Sequence, residues 1–237
     1  EKDNLRYVFN WNHKRFPDPE KFFENMNARG INVIPNLKPG ILKHHPYIDL
    51  FEKNDVFIKT PDGKAPYYGR WWGGEGRFFD FTGPNGRNTW KQLLEENILK
   101  KGTKTVWNDN CEMDGVEDRD AQCDFEGKKG TMAELKILHS NLMAYTAKQA
   151  LADVYPGERP YIINRAGYAG IQRYAQVWGG DNLTDWRTVK FNIATILGMG
   201  LAAPTWAVIS AALPAPHPKQ NCCSAGCRTA SSSPVSA

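Results

Sequence analysis

An α/β fold is what this sequence predicts, and three observations predict it. Strand-like and helix-like stretches alternate along most of the chain, the order that builds parallel sheets through right-handed crossovers. Polar and acidic residues gather just past the carboxyl ends of several strand-like stretches, where a barrel keeps its chemistry. Gly73, Gly74 and Gly76 sit in no strand-to-helix turn, so no phosphate-binding glycine fingerprint argues for an open nucleotide-binding sheet. The expectation is therefore a partial (β/α)8 TIM barrel with an aromatic-rich excursion after an early strand. With 237 residues, 41% of them hydrophobic, the chain is long enough to bury a core as one domain.

Taken in order, residues 6–11 (RYVFNW) are strand-like, and Asp18-Pro19 offers an N-cap followed by a first-turn proline. Phe22, Phe23 and Met26 give the helix that follows one apolar face, and Gly30 ends it. Residues 31–34 have the composition of a buried strand closed by Pro35. Residues 43–84 lose all periodicity but are dense in aromatics, as in Trp71-Trp72 and Phe78-Phe79-Asp80-Phe81. So long an irregular stretch predicts a folded excursion over one face of the scaffold. A helix is expected over 88–100, then a strand over 104–107. Thr131 and Glu134 have capping-box spacing and open a long helix with Leu135, Leu138, Leu142, Tyr145, Leu151 and Val154 on one side. Pro156-Gly157 stops it, residues 161–164 and 176–178 are short strands, and 186–201 is helical.

Composition narrows the function classes. Thirty basic residues against 26 acidic leave a net charge of +4, scattered too thinly for a nucleic-acid surface. Residues 191–213 carry no charge, yet Asn192, Pro204 and several glycines interrupt them, so no membrane span is expected. The first residues show no secretory signal core, and the five cysteines have no framework spacing. Reduced thiols and a cytoplasmic location are the expectation.

The chemistry concentrates where the strand at 104–107 runs into Asp109, beside Trp107, and where that at 176–178 runs into Asp181, beside Trp178. Indole faces stack on the C–H face of a pyranose, and paired carboxyls cleave its acetal. Arg165 follows a third strand between them. A lone strand-end aspartate is more often a cap, but two in matching contexts point to a site. A calcium-loop reading of Asn110, Glu112, Asp114 and Gly115 fails because the twelfth position is Ala121 and a strand precedes the loop. Adjacent His44 and His45 have no carboxylate at ligand spacing, so a loop role is expected and no metal or cofactor is implied.

These residues carry a family resemblance. WNDNCE at 107–112 resembles the nucleophile motif of glycoside hydrolase family 31, the α-glucosidase and α-glucosyltransferase family. NRAGYAGIQRYAQVWGGDNLTDW at 164–186 resembles its acid/base motif, and NLKPG at 36–40 is similar to the segment around the third barrel strand. The asparagines flanking Asp109 are closer to a subgroup containing 6-α-glucosyltransferases. The resemblance implies Asp109 as nucleophile and Asp181 as general acid/base. It also implies Arg165, Trp107, Trp178 and Trp72 as substrate-binding residues, and an α-linked gluco-oligosaccharide or α-glucoside as substrate. A retaining mechanism requires the two carboxyls roughly 5 Å apart across the anomeric carbon.

The resemblance stops near Ala202, where the composition shifts abruptly to Ala, Pro, Ser and Cys. Reverse-translated from Ala203 and read in the frame that joins the last base of each codon to the first two of the next, permitted codons spell TNMGCDIGGFAGPAPEAELLLRWVQNG. That string contains the family's missing GxDIGGF motif. The expectation is a partial catalytic barrel over 1–202, with its excursion at 43–84, followed by a frameshift-derived tail over 203–237. The three cysteines at 222, 223 and 227 then need no metal to explain them. Strands preceding residue 6 and the last barrel strands are expected to be missing, so the alternative to an active α-glucosidase or α-glucosyltransferase is an inactive truncated fragment, at most a weak sugar binder.

Overall fold

A computed structural model of the chain describes residues 5–71, 73–183, 185–202 and 211–213. Trp72 and most of the tail, 203–210 and 214–237, lie outside the described residues. In chain order the elements are α1 (Pro19–Ala28), β1 (Asn36–Leu37), β2 (Gly40–Leu42), α2 (Ile48–Lys53), β3 (Gly69–Trp71), β4 (Gly74–Phe78) and α3 (Pro84–Asn97). There follow β5 (Thr105–Asn108), β6 (Gln122–Cys123), β7 (Gly130–Thr131), α4 (Met132–Val154), β8 (Tyr161–Asn164), β9 (Gln176–Val177), β10 (Asp181–Leu183), α5 (Trp186–Ala202) and β11 (Ala211–Leu213).

The scaffold is a parallel sheet in the order β1-β5-β8-β9, with α3 and α4 crossing over it. This is the expected partial barrel. Asn108 and Asn164 face each other in its register, and both are fully buried. Asn108 donates to Asn164 Oδ1 at 2.8 Å, while Asn164 Nδ2 donates to the carbonyl oxygen of Ser140 in α4 at 2.8 Å. Two buried amides thus fasten adjacent strands to the helix behind them, each donor satisfied as burial requires.

The excursion has a fold of its own, an antiparallel sheet in the order β2-β4-β3. Its aromatic residues explain themselves by packing. Phe79 and Phe81 stand edge-on to Trp90 of α3 at 5.1 and 5.2 Å between ring centroids, and Phe51 meets Phe79 at 5.1 Å. Edge-to-face contacts of this kind add to the apolar burial, so the excursion is anchored on α3. A second tie needs glycine: a Cβ on Gly69 of β3 would lie 1.7 Å from the Gly115 carbonyl oxygen, so β3 runs against the loop that follows β5.

Several expected boundaries are corrected. Residues 6–11 form no strand among the described residues, because Phe9 takes φ +61° and sets its ring against Trp90 at 4.7 Å. The strand expected at 31–34 begins instead at Asn36. Ile31 is exposed, the Val33 carbonyl is capped by the hydroxyls of Thr103 and Thr105 at 2.9 Å each, and Pro35 has no N–H for a ladder. Helix α3 starts at Pro84, with proline in its first turn, rather than at 88. In α4, Glu134 accepts from the Thr131 N–H at 3.0 Å as the capping box requires. Its buried face, however, is built from Leu135, His139, Ser140, Met143, Ala144, Ala147, Ala150 and Leu151, with Leu138 and Leu142 only partly buried. Small residues let the helix approach the sheet and α3 closely, a role that apolar periodicity does not single out. His45 is a core residue: its Nε2 lies 2.8 Å from the Val8 carbonyl oxygen, and burial lowers its pKa to about 4. No helix among the described residues is long and apolar enough to cross a membrane.

Candidate active site

The carboxyl ends of β1, β5, β8 and β9 converge on one cluster. The Asp109 N–H donates to the Leu37 carbonyl at 2.8 Å, the Arg165 N–H to the Asn108 carbonyl at 3.0 Å, and the Trp178 N–H to the Asn164 carbonyl at 3.1 Å. Asp109, Arg165 and Trp178 are therefore each held by the last rung of the ladder, at the rim of the sheet, whereas Asp181, just beyond Trp178, opens β10.

Asp109 is the most heavily held group. Its Oδ2 accepts from Asn36 Nδ2 at 3.1 Å and from Lys38 Nζ. Its Oδ1 accepts from the Asn110 N–H at 3.0 Å and lies 3.4 Å from Arg165 Nε. Burial, the largest single influence, pushes the carboxyl's pKa up. The hydrogen bonds from Lys38 and Asn36, with the charges of Lys38 and Arg165, outweigh it and hold the group below the usual carboxylate range. Burial in turn lowers the Lys38 pKa, against the pull of Asp109.

Arg165 ties the acids together. Its guanidinium pairs with Glu112 and lies 3.6 Å from Asp181 Oδ2, so three carboxylates meet one cation. The side chain of Asp109 is 9% exposed and that of Asp181 49%, giving one sheltered and one open carboxyl. Trp107 and Trp178 stand edge-on at 5.4 Å and 81°, and both indole N–H groups are buried without a partner among the described residues. A cavity of about 300 Å³ beside the cluster is lined by Arg6, Tyr7, Asn36, Lys38, Gly40 and Trp71.

The structure thus brings Asp109, Asp181, Arg165, Trp107 and Trp178 into one neighbourhood, while Trp72 lies outside the described residues. Asn110 and Glu112, which a calcium loop would use, are engaged by Lys38 and Arg165. Sequence reasoning did not single out Asn36, Lys38 or Glu112 as site residues. The available signal was that Asn36 and Lys38 leave a strand on the same rim as Asp109.

Carboxylates delivered by separate strands to the carboxyl rim of a parallel α/β barrel sheet, with indoles beside them, define a barrel of the glycoside-cleaving class. Comparison makes the assignment particular. Residues 2–208 match the family described as the glycosyl hydrolases family 31 TIM-barrel domain, and the chain belongs to that family. It is 29% identical over 202 residues to alpha-glucosidase 2 of Bacillus thermoamyloliquefaciens, covering 82% of this chain and 25% of that protein. It is 30% identical over 217 residues to neutral alpha-glucosidase AB of Sus scrofa, covering 84% and 22%. Among solved structures, the family 31 alpha-glucosidase of Bacteroides thetaiotaomicron superposes with a TM-score of 0.69 at 28% identity, covering 88% of this chain and 34% of that one. The ER glucosidase II heterodimeric complex matches with a TM-score of 0.75 at 26% identity, over 88% and 24%. The chain spans about a quarter of the length of the curated relatives it matches.

Proposed function

We propose that this chain carries the catalytic carboxyls of a retaining glycoside hydrolase acting on α-glucosides by double displacement. The observation that carries the reading is the meeting of Asp109 and Asp181, from the ends of different strands, at the single guanidinium of Arg165. Asp109, kept ionised by Lys38 and Asn36, attacks the anomeric carbon. Asp181 gives its proton to the departing glycosidic oxygen, and a β-glucosyl ester forms on Asp109. Asp181 then takes a proton from water or from an acceptor hydroxyl, whose oxygen displaces Asp109 and restores the α configuration. Arg165 orients both carboxyls, and the unpartnered N–H groups of Trp107 and Trp178 suit sugar hydroxyls in the substrate pocket. The same reading divides the chain into a partial barrel over 1–202 and a frameshift-derived tail over 203–237.

A second reading, that the isolated chain is an inactive piece of such an enzyme, is favoured by the exposure of Asp181 and of the apolar residues of α5. Hydrolysis of an aryl α-glucoside by this chain, and by the parent restored in the shifted frame, separates the two. The restored form is expected to be active and to lose at least about 10⁴-fold in kcat/KM on Asp109→Asn, as loss of a nucleophile does. Absence of α-glucoside cleavage or glucosyl transfer in either form would sink the assignment to Asp109 and Asp181. A clean reading frame in the resequenced gene, with no GCDIGGF in the adjacent frame, would remove the frameshift.

A further inference from the structure

Away from the carboxylate cluster, Asp80, Cys123 and His139 are buried together, their ligand atoms all within 4.8 Å of one another. They come from three separate parts of the fold. Asp80 ends the excursion, Cys123 lies in β6 of the hairpin that closes the loop after Asp109, and His139 sits on the core face of α4. Thiolate, imidazole and carboxylate are the donor types that Zn²⁺ takes, with three protein ligands leaving one position open.

Three details favour an ion over a chance polar cluster. Cys123 Sγ lies 3.6 Å from His139 Nε2, and Zn–S and Zn–N bonds of about 2.3 and 2.0 Å at a tetrahedral angle put sulfur and nitrogen about 3.5 Å apart. A cavity of about 290 Å³, whose lining includes Asp55, Lys59, Asp80, Cys123, Asp124 and Lys129, opens onto two of the three ligands. It provides an entry path and room for a water in the fourth position. Asp80 is also pre-set: Oδ1 accepts from the Thr82 N–H at 2.9 Å and hydroxyl at 2.6 Å, and Oδ2 from the Asp124 N–H at 2.6 Å. A carboxylate oxygen carrying one such bond retains a lone pair for a metal.

We propose that Asp80, Cys123 and His139 form a Zn²⁺ site that clamps the excursion, the acid-loop hairpin and helix α4 together. The test uses the full chain with Cys222, Cys223 and Cys227 replaced by serine, titrated with Co²⁺ as a spectroscopic stand-in. We expect one Co²⁺ per chain, tetrahedral visible bands, a thiolate-to-cobalt charge-transfer band that Zn²⁺ displaces, and a higher Tm with either metal. Cys123→Ser abolishes the charge-transfer band. Should that variant unfold, His139→Gln decides, since it keeps the thiolate and is expected to weaken binding at least tenfold. Absence of the band in the parent, an undiminished band in folded Cys123→Ser, or unchanged affinity in His139→Gln overturns the proposal.

Discussion

Lys38 is the residue whose removal says most about Asp109. It supplies both a hydrogen bond and a charge to a carboxyl that burial would otherwise push upward. With Lys38→Met, burial acts against fewer donors and one cation less, so the Asp109 pKa rises. The acid limb of the kcat/KM profile of the restored enzyme should therefore move to higher pH, with a smaller change in KM than in kcat. An unmoved acid limb would show that Lys38 serves packing only. The linkage has the same sign for stability. A carboxyl whose folded pKa is depressed contributes stability that is present above its unfolded pKa and lost as pH falls through the folded one. Lys38→Met should thus flatten the acid side of the Tm–pH curve. None of this was legible in the residues 36–40 alone, because the partnership joins β1 to β5 and depends on their parallel register.

Elements show the opposite balance of legibility. The capping box of α4, the proline-started α1, β5 and β8 all follow local chemistry, and sequence reasoning finds them because no distant partner is needed. The misplaced strands at 6–11 and 31–34 fail for tertiary reasons: Phe9 is turned toward Trp90, and the Val33 carbonyl is taken by threonine hydroxyls. The buried asparagine pair is equally invisible in sequence, yet it fastens β5, β8 and α4. Asn164→Ala leaves the Ser140 carbonyl and the Asn108 amide without this partner, and a destabilisation of about 2–4 kcal/mol is expected from urea unfolding. At the excursion, Gly69→Ala drives a methyl into the Gly115 carbonyl oxygen. It should cost about 1–3 kcal/mol, and it should lower kcat in the restored enzyme, since the displaced loop carries Asp109 and Glu112. A Gly69→Ala protein with parental stability and activity would mean that β3 does not brace the acid loop.

At the scale of the whole molecule, α5 is the unfinished surface. Phe191 and Leu197 are each 65% exposed, and Trp186 and Ile193 are exposed beside them, on a helix that a closed barrel would cover. The four-stranded parallel sheet has β1 and β9 as its edges, and edges joined to an apolar helix face invite association. The proposed frame change locates the missing cover, because the motif recovered in the shifted frame begins where α5 ends. One pair of substitutions therefore has opposite consequences in the two contexts. Phe191→Glu with Leu197→Glu should raise the solubility of the 237-residue chain and reduce its binding of a hydrophobic dye, since both residues meet water there. In the frame-restored parent the same pair buries two charges against the returning strands and should lower Tm by several degrees or abolish folding. Sedimentation and thermal melts of the four proteins read the outcome directly. Equal tolerance of the pair in both contexts would mean that α5 faces solvent in the complete enzyme too, and that the tail replaced nothing which packs against it.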